Sequence, residues 1–142
     1  MVGVSFSGRK AKGSKAEREL IHLFWENGFG AMRAAGSGST KHPSPDILAG
    51  NGKLFFAIEC KASHKHVKYL DKDEINQLEY FSNSFGARPV VAIRFDNDHW
   101  YFMNITDLHE TPKCFSVNFE LAKKKGLSFD EMIGKYKQKR LD

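Results

Sequence analysis

The sequence predicts an α/β fold, in which a small mixed β-sheet of about five strands is flanked by helices. Three observations lead to this prediction. A helical pattern of apolar residues lies near the start of the chain, an Asn-Gly turn separates two apolar runs near residue 51, and helical and strand-like segments then alternate. The 142 residues suffice for one compact domain with a single core.

The first helix is predicted to begin at Ser14 and to end near Gly28. Ser14 and Glu17 form a capping-box pattern, and glycine is favoured just beyond the last helical turn. Residues 1–13 contain three glycines and no periodic pattern, so we expect a flexible basic arm there. The folded domain is therefore predicted to span residues 14–142.

The remaining elements follow from the same local signals. In order, they are an extended segment at 31–35, a polar loop at 36–45, a hairpin at 46–62 with its turn at Asn51-Gly52, a helix from about Asp71 to Phe85 closed by Gly86, a strand pair at Pro89–Phe95 and His99–Ile105, and a weaker helix at 128–139.

Composition and charge narrow the range of partners. The net charge is +5, and basic residues crowd both ends of the chain and flank the hairpin, which favours nucleic acid as a partner. No apolar run approaches a membrane span, and the N-terminus lacks the apolar segment of a secretion signal, so no membrane partner is expected. Two cysteines without a paired motif argue against a disulfide framework and indicate a reducing, cytoplasmic location.

The hairpin carries the residues that are predicted to perform chemistry. With a two-residue loop, Asp46 would pair with Ala57, and Asp46, Glu59 and Lys61 would project from one face. The two carboxylates would then have Cβ atoms roughly 7 Å apart. This spacing allows both to bind one hard cation at about 2.1 Å from each oxygen. The opposite face is predicted to pack on a helix and carries Ile47, Ala49, Leu54, Phe56, Ile58 and Cys60.

This combination of groups suits the hydrolysis of a phosphodiester bond. A bound metal ion would polarise the phosphate and activate water, and Lys61 would position that water or neutralise developing charge. Taken singly, Glu59 and Lys61 are an ordinary exposed pair and Asp46 an ordinary turn residue. Their combination on one hairpin predicts a magnesium-dependent DNA endonuclease.

Other residues near this pattern have two interpretations each. Glu17 suits helix capping, but it also lies on the apolar stripe of its helix, so we favour it over Glu19 as a third carboxylate. Arg33 is either a phosphate ligand or a surface arginine on a strand. A zinc site at His64 and His66 is a poor match to the usual ligand spacing.

Several motifs closely resemble those of the archaeal Holliday junction resolvases, which belong to the PD-(D/E)xK nuclease superfamily. These motifs are Ala16-Glu17-Arg18-Glu19-Leu20, Gly28-Phe29, Arg33-x-Ala35-Gly36-Ser37, Pro45-Asp46-Ile47-x-Ala49-Gly50-Asn51-Gly52-Lys53 and Ala57-Ile58-Glu59-Cys60-Lys61. The resemblance runs from about Gly13 to Phe102 and fades in the C-terminal forty residues. The loop from Gly38 to Pro45 departs from the family pattern.

The resemblance implies a restriction-endonuclease-like core and a homodimer that binds four-way DNA junctions. It also implies paired nicks in opposed strands during recombination and repair, with Mg²⁺ as cofactor, Mn²⁺ as a substitute and no small-molecule cofactor. By position, the implied catalytic set is Glu17, Asp46, Glu59, Lys61 and Ser37, of which Glu17, Asp46 and Glu59 would bind the metal ion. The residues expected to contact DNA are Arg9, Lys10, Lys15, Arg18, Arg33, Lys41, Lys65 and Lys68.

Two alternatives stay open at the level of sequence. One is another nuclease of the same superfamily that acts on duplex or flap DNA. The other is a non-catalytic nucleic-acid-binding module, which would need the basic surface but not the carboxylates. The dimer interface is not derivable from the pattern, but Tyr80, Phe81 and Phe85 of the second helix are candidates because they exceed what one small core requires.

Overall fold

A five-stranded mixed sheet forms the centre of the molecule, in the strand order β1-β2-β3-β5-β6. The computed structural model describes residues 15–34, 42–96 and 99–135. The five strands are β1 (Gly30–Arg33), β2 (Ile47–Gly50), β3 (Phe55–Ser63), β5 (Arg88–Phe95) and β6 (Trp100–Asn104). β3 and β5 run parallel, whereas the other neighbouring pairs are antiparallel. The predicted mixed sheet of about five strands is therefore confirmed.

The two faces of this sheet are covered by different helices. Helix α1 (residues 15–26) places Leu20 and Phe24 in one core cluster, which also contains Ile47 and Ile58 of the sheet. Helix α2 (Lys72–Phe85) covers the other face through Ile75 and Leu78. Each face of β3 thus packs on a helix, with successive residues pointing to opposite faces.

The bounds of α2 match the local signals in the sequence. The helix begins after Asp71 and is closed by Gly86, whose positive φ of 90° is readily adopted by glycine. Ser82 is buried, whereas Phe85 is exposed at the last turn.

The register of the β2–β3 hairpin differs from the prediction. Gly50 pairs with Phe55, so the loop has four residues instead of two. The side chain of Asn51 explains the difference, because its Oδ1 accepts hydrogen bonds from the backbone N–H groups of Lys53 (2.9 Å) and Leu54 (2.7 Å). The loop grows by two residues, an even number, so most of β3 keeps its predicted facing. Leu54, predicted to pack on a helix, is instead an exposed loop residue.

The ladder also stops short of Asp46. Its last pair is Ile47 with Ile58, and the Asp46 N–H donates to the Ile58 carbonyl at 2.9 Å. The predicted pairing of Asp46 with Ala57 is therefore wrong. Ala57 is buried in the core on the α2 side and is not part of an open polar face.

A second, smaller sheet was not predicted. Its order is β4-β8-β7, formed by β4 (Val67–Asp71), β7 (His109–Glu110) and β8 (Cys114–Asn118). Leu70, Phe115 and Val117 of this sheet join the core on the α2 side. These strands have two to five residues, which gives too little alternation to be recognised from a pattern.

Two short helices complete the described chain. Helix α3 (Phe119–Lys125) was not predicted, and α4 (Phe129–Met132) is much shorter than the helix predicted at 128–139. Ser128 caps α4 as a capping box with Glu131, but Gly134 has a φ of 88°, which is incompatible with a continuing helix. The predicted basic arm at 1–13 lies outside the described residues.

Candidate active site

The residues predicted to perform chemistry come from three parts of the fold: α1, the segment just before β2, and β3. Glu17 lies in the first described turns of α1, Asp46 immediately precedes β2, and Glu59 and Lys61 lie on β3. All four side chains are partly buried. Glu59 and Lys61 share the α2 side of β3, and Cys60 between them packs on the α1 side.

Asp46 is anchored to β3 by its side chain. Its Oδ2 accepts a hydrogen bond from the Cys60 N–H at 2.8 Å, in the place where the regular backbone ladder has stopped. Burial raises the pKa of this carboxyl group, the Cys60 bond opposes that shift, and the nearby charge of Glu17 adds to it. The Asp46 carboxylate is thus fixed in position, but its surroundings only partly stabilise its negative charge.

Glu59 is the most strongly perturbed carboxyl group near β3. Burial, followed by the negative charge of Asp46, raises its pKa to about 7, although the nearby Lys61 ammonium opposes the shift. Only 18% of its side chain is exposed. A bound cation would relieve the repulsion between these carboxylates, and strongly perturbed groups of this kind are typical of functional sites.

Lys61 contacts two carboxylates. Its Nζ lies 2.7 Å from Oε2 of Glu74 on α2 and 3.8 Å from Oε2 of Glu59. Burial alone would lower the pKa of Lys61, but the hydrogen bond and charge of Glu74, helped by Glu59, raise it above its ordinary value. Lys61 is therefore an ammonium at neutral pH. Sequence reasoning missed Glu74, whose contact joins two elements and leaves no periodic signal.

Glu17 reaches this region from α1, while Glu19 points elsewhere. The Glu17 Oε1 accepts a hydrogen bond from Nε of Arg33 at 2.8 Å. Glu19 lies instead 3.7 Å from Arg94 on β5. Of the two candidates weighed from the sequence, the structure brings Glu17 beside Asp46. It also gives Arg33 a carboxylate partner that was not anticipated.

Three possible metal-ligand atoms lie together in one group of described residues. They belong to Glu17, Asp46 and Cys60 and lie within 4.8 Å of one another. Burial raises the pKa of the Cys60 thiol well above its ordinary value, so the thiol is protonated at neutral pH. A hard divalent cation prefers oxygen ligands, and the carboxylates of Glu17 and Asp46 in this cluster supply them. Cys60 was assigned to the apolar face from the sequence, so its place beside the carboxylates was missed.

Comparison with known proteins identifies the family. The family model for archaeal Holliday junction resolvases (Hjc) matches residues 8–141. The chain belongs to this family.

Individual relatives agree with the family match. A crossover junction endodeoxyribonuclease Hjc from Archaeoglobus fulgidus is 40% identical over 131 residues, which cover 92% of this chain and 96% of the relative. An Hje enzyme of the same activity name from Sulfolobus acidocaldarius is 38% identical over 101 residues, or 69% of this chain and 73% of the relative. The solved structure of Archaeoglobus fulgidus Hjc, a Holliday junction resolvase, superimposes with a TM-score of 0.80 at 37% identity, covering 85% of this chain and 99% of that one.

These matches confirm the family resemblance and the restriction-endonuclease-like fold expected from the sequence. They also agree with the expected nuclease class, because the relatives are named as crossover junction endodeoxyribonucleases.

The residues expected to contact DNA are only partly within the described chain. Lys15 and Arg18 are exposed on α1, Lys65 is exposed in the turn after β3, and Lys68 is partly buried on β4. Arg9, Lys10 and Lys41 lie outside the described residues, as does Ser37 of the implied catalytic set. No helix in the described part of the chain is long and apolar enough to cross a membrane.

Proposed function

We propose that this resolvase-family protein is a structure-selective endonuclease that cuts four-way DNA junctions by metal-dependent hydrolysis, introducing paired nicks in opposed strands. One observation carries the proposal. Glu17 and Asp46 share one ligand cluster with Cys60, Glu59 and Lys61 flank Cys60 on β3, and the chain belongs to the resolvase family. This acidic site, poorly compensated for its charge, is ill suited to bind DNA on its own, but it suits a cation that contacts a phosphate.

The carboxylates of Glu17, Asp46 and Glu59 are the proposed metal ligands, with Mg²⁺ as the natural ion and Mn²⁺ as a substitute. The ion would polarise the phosphodiester and lower the pKa of a bound water. The Cys60 backbone orients Asp46 by donating to its Oδ2, leaving the other carboxylate oxygen free. Burial on β3 limits the competition of bulk water for Glu59.

Lys61 is proposed to act on the phosphate. Its ammonium has three donors, and the two carboxylates beside it occupy at most two of them. The remaining donor can neutralise charge that develops on a phosphate oxygen or orient the attacking water. Arg33 holds Glu17 in place at 2.8 Å, which makes it a candidate for positioning that carboxylate as well as for binding DNA.

The proposed active form is a homodimer, because a four-way junction has approximate two-fold symmetry and a two-fold dimer offers one site to each of two equivalent strands. A candidate interface is a surface that we call the apolar surface, formed by Trp25, Met32, Phe55 and Phe85. These four side chains are exposed and line one groove of about 400 Å³. Exposed apolar surfaces of this kind are typical of protein–protein contacts.

The apolar surface extends the dimer prediction made from the sequence. Phe81 stacks on Phe85 with ring centroids 5.5 Å apart, and Tyr80 is exposed on the same helix. β1, which carries Met32, is an edge strand of the described sheet, so a second copy could approach here without disturbing the core.

The decisive test is cleavage of an end-labelled synthetic four-way junction, beside a linear duplex with the same arm sequences. Symmetric nicks in the junction alone, dependent on Mg²⁺ and lost in EDTA, would support the proposal. Cleavage of both substrates would indicate a nuclease of broader specificity within the superfamily. If neither substrate is cut but the junction is retarded in a gel, the protein is a binding module and the catalytic assignment is wrong.

A further inference from the structure

Lys61 is held by the carboxylate of Glu74, a residue that is not among the proposed metal ligands. Its Nζ is 2.7 Å from Oε2 of Glu74 but 3.8 Å from Oε2 of Glu59. Only the first distance is a hydrogen bond. Lys61 is mostly buried, with 19% of its side chain exposed, so its direction is set by these neighbours and not by solvent.

The presence of a glutamate at position 74 has an ordinary explanation, but that explanation does not account for its contact with Lys61. It is the third residue after the N-cap Asp71, where a glutamate often reaches back to the cap and also favours the helix dipole. In this chain the Glu74 carboxylate extends across to β3 and accepts a hydrogen bond from Lys61. The contact joins α2 to the strand that carries the proposed catalytic residues.

We propose that Glu74 is a positioning residue, which holds the Lys61 ammonium on the α2 side and thereby keeps Glu59 available to a metal ion. This inference rests on the proposed function of Glu59 and Lys61. Without Glu74, the nearest remaining carboxylate for Lys61 is Glu59, and closing the 3.8 Å gap would form a direct ion pair. The ammonium would then compete with the cation for the same oxygens.

The first experiment compares cleavage rates under single-turnover conditions. With the protein in excess over a labelled four-way junction, Glu74→Ala should lower the cleavage rate by about 10- to 100-fold and raise the Mg²⁺ concentration needed for half of the maximal rate. Glu74→Gln retains an oxygen acceptor for Lys61 and should lie between Glu74→Ala and the wild type. Junction affinity in EDTA should not weaken, since the change removes a negative charge.

Asp73→Ala is the matched control. Asp73 is an exposed acidic residue in the same first turn of α2, so its loss changes the net charge equally. The Asp73→Ala variant should cleave the junction at the wild-type rate and need the same Mg²⁺ concentration as the wild type. If Glu74→Ala behaves like Asp73→Ala, the positioning role of Glu74 is rejected, while the proposed nuclease function is unaffected.

Metal binding supplies a measurement that does not depend on cleavage. Calorimetric titration with Mn²⁺ of the wild type, Glu74→Ala, Lys61→Met and the double variant forms a cycle. Glu74→Ala should weaken Mn²⁺ binding only when Lys61 is present. An equal loss in the Lys61→Met background would show a direct charge effect and overturn the inference. A wild type that binds Mn²⁺ but does not cut the junction would overturn the proposed function alone.

Discussion

The Asp46 carboxylate has two roles: it accepts a structural hydrogen bond, and it is a proposed metal ligand. Its Oδ2 accepts the Cys60 N–H, and Glu17 lies close enough to share a ligand cluster with it. An amide at this position would keep an oxygen acceptor for Cys60 but would lose the charge. The two roles can therefore be separated by a single substitution.

Asp46→Asn should abolish cleavage while leaving the protein folded. The expected loss exceeds the roughly 10- to 100-fold that removal of an outer-shell partner causes, because the substitution neutralises a proposed direct ligand. Junction binding in EDTA should be equal or tighter, because one negative charge near the phosphates has been removed. Cleavage assays and gel shifts on the same preparation make the comparison, with Asp73→Asn as the charge-matched control. Cleavage by Asp46→Asn at the wild-type rate would contradict the assigned site.

Glu59 should make the metal-free protein less stable as the pH rises. Its pKa is raised from 4.5 to about 7, so the folded state binds this proton more tightly than the unfolded state. The stabilisation is complete below about pH 4.5 and is lost as the pH rises through 7. The loss in unfolding free energy is about 3 kcal/mol.

Urea unfolding in EDTA between pH 4 and 8 measures this effect. Glu59→Gln should flatten the decline in unfolding free energy seen in the wild type, and Mg²⁺ should restore stability at pH 8 in the wild type but much less in the variant. Glu79→Gln, at an exposed position on α2, should keep the wild-type slope. Identical slopes for Glu59→Gln and the wild type would show that Glu59 does not carry the pH dependence.

At the scale of the element, β3 organises the candidate site through simple alternation. Glu59 and Lys61 face α2, where Glu74 meets Lys61, whereas Cys60 faces α1, where Glu17 lies. One strand thus brings both helices to the same carboxylates. The three consecutive residues Glu59, Cys60 and Lys61 therefore contact side chains from two segments that are distant in the sequence.

The turn before β3 fixes which residues reach those positions. Asn51→Ala removes the acceptor for two backbone N–H groups, those of Lys53 and Leu54, and should lower the unfolding free energy by about 1 kcal/mol. Urea denaturation provides the measurement, with the exposed Lys53→Ala as the control. Equal stability of the two variants would mean that the Asn51 side chain does not hold the turn.

Local signals in the sequence were sufficient to predict α2 and the strands that make up the main sheet. Asp71 and Gly86 mark the ends of α2 in a way that depends only on neighbouring residues. The hairpin register did not follow from the sequence, because Asn51 suits both a two-residue turn and a side-chain-capped loop, and only its hydrogen bonds decide between them. Glu74 and Cys60 were missed for a related reason, since their contacts at the site depend on how separate elements pack.

At the scale of the whole molecule, the second sheet and the apolar surface were beyond what the pattern could predict. Leu70 of β4 and Phe115 and Val117 of β8 pack in the core beneath α2, and β7 joins this sheet by pairing with β8. The apolar surface arises because β1, β3, α1 and α2 each contribute one exposed side chain to the same groove. Neither feature exists in any one segment.

The apolar surface leads to a prediction about assembly. Removing a phenylalanine side chain from an interface costs roughly 1.5–3 kcal/mol. A two-fold dimer of the variant lacks two such side chains, so Phe85→Ala should weaken the dimer by at least about 100-fold. Light scattering coupled to size exclusion, over a range of protein concentrations, should show a lower mass for this variant than for the wild type. Tyr69→Ala is the control, because Tyr69 is also an exposed aromatic residue, lies on β4 and does not line the groove.

The same variant tests the link between assembly and function, because the proposed paired nicks would come from two sites held together in one dimer. In a supercoiled plasmid with an extruded four-way junction, the wild type should produce linear molecules from paired nicks within one encounter. Phe85→Ala at concentrations below its dimer dissociation constant should accumulate singly nicked circles, since its site residues are unchanged while their coupling is lost. An unchanged mass would reject this face as the interface. A lower mass with fully paired nicking would show that the second nick does not require a stable dimer.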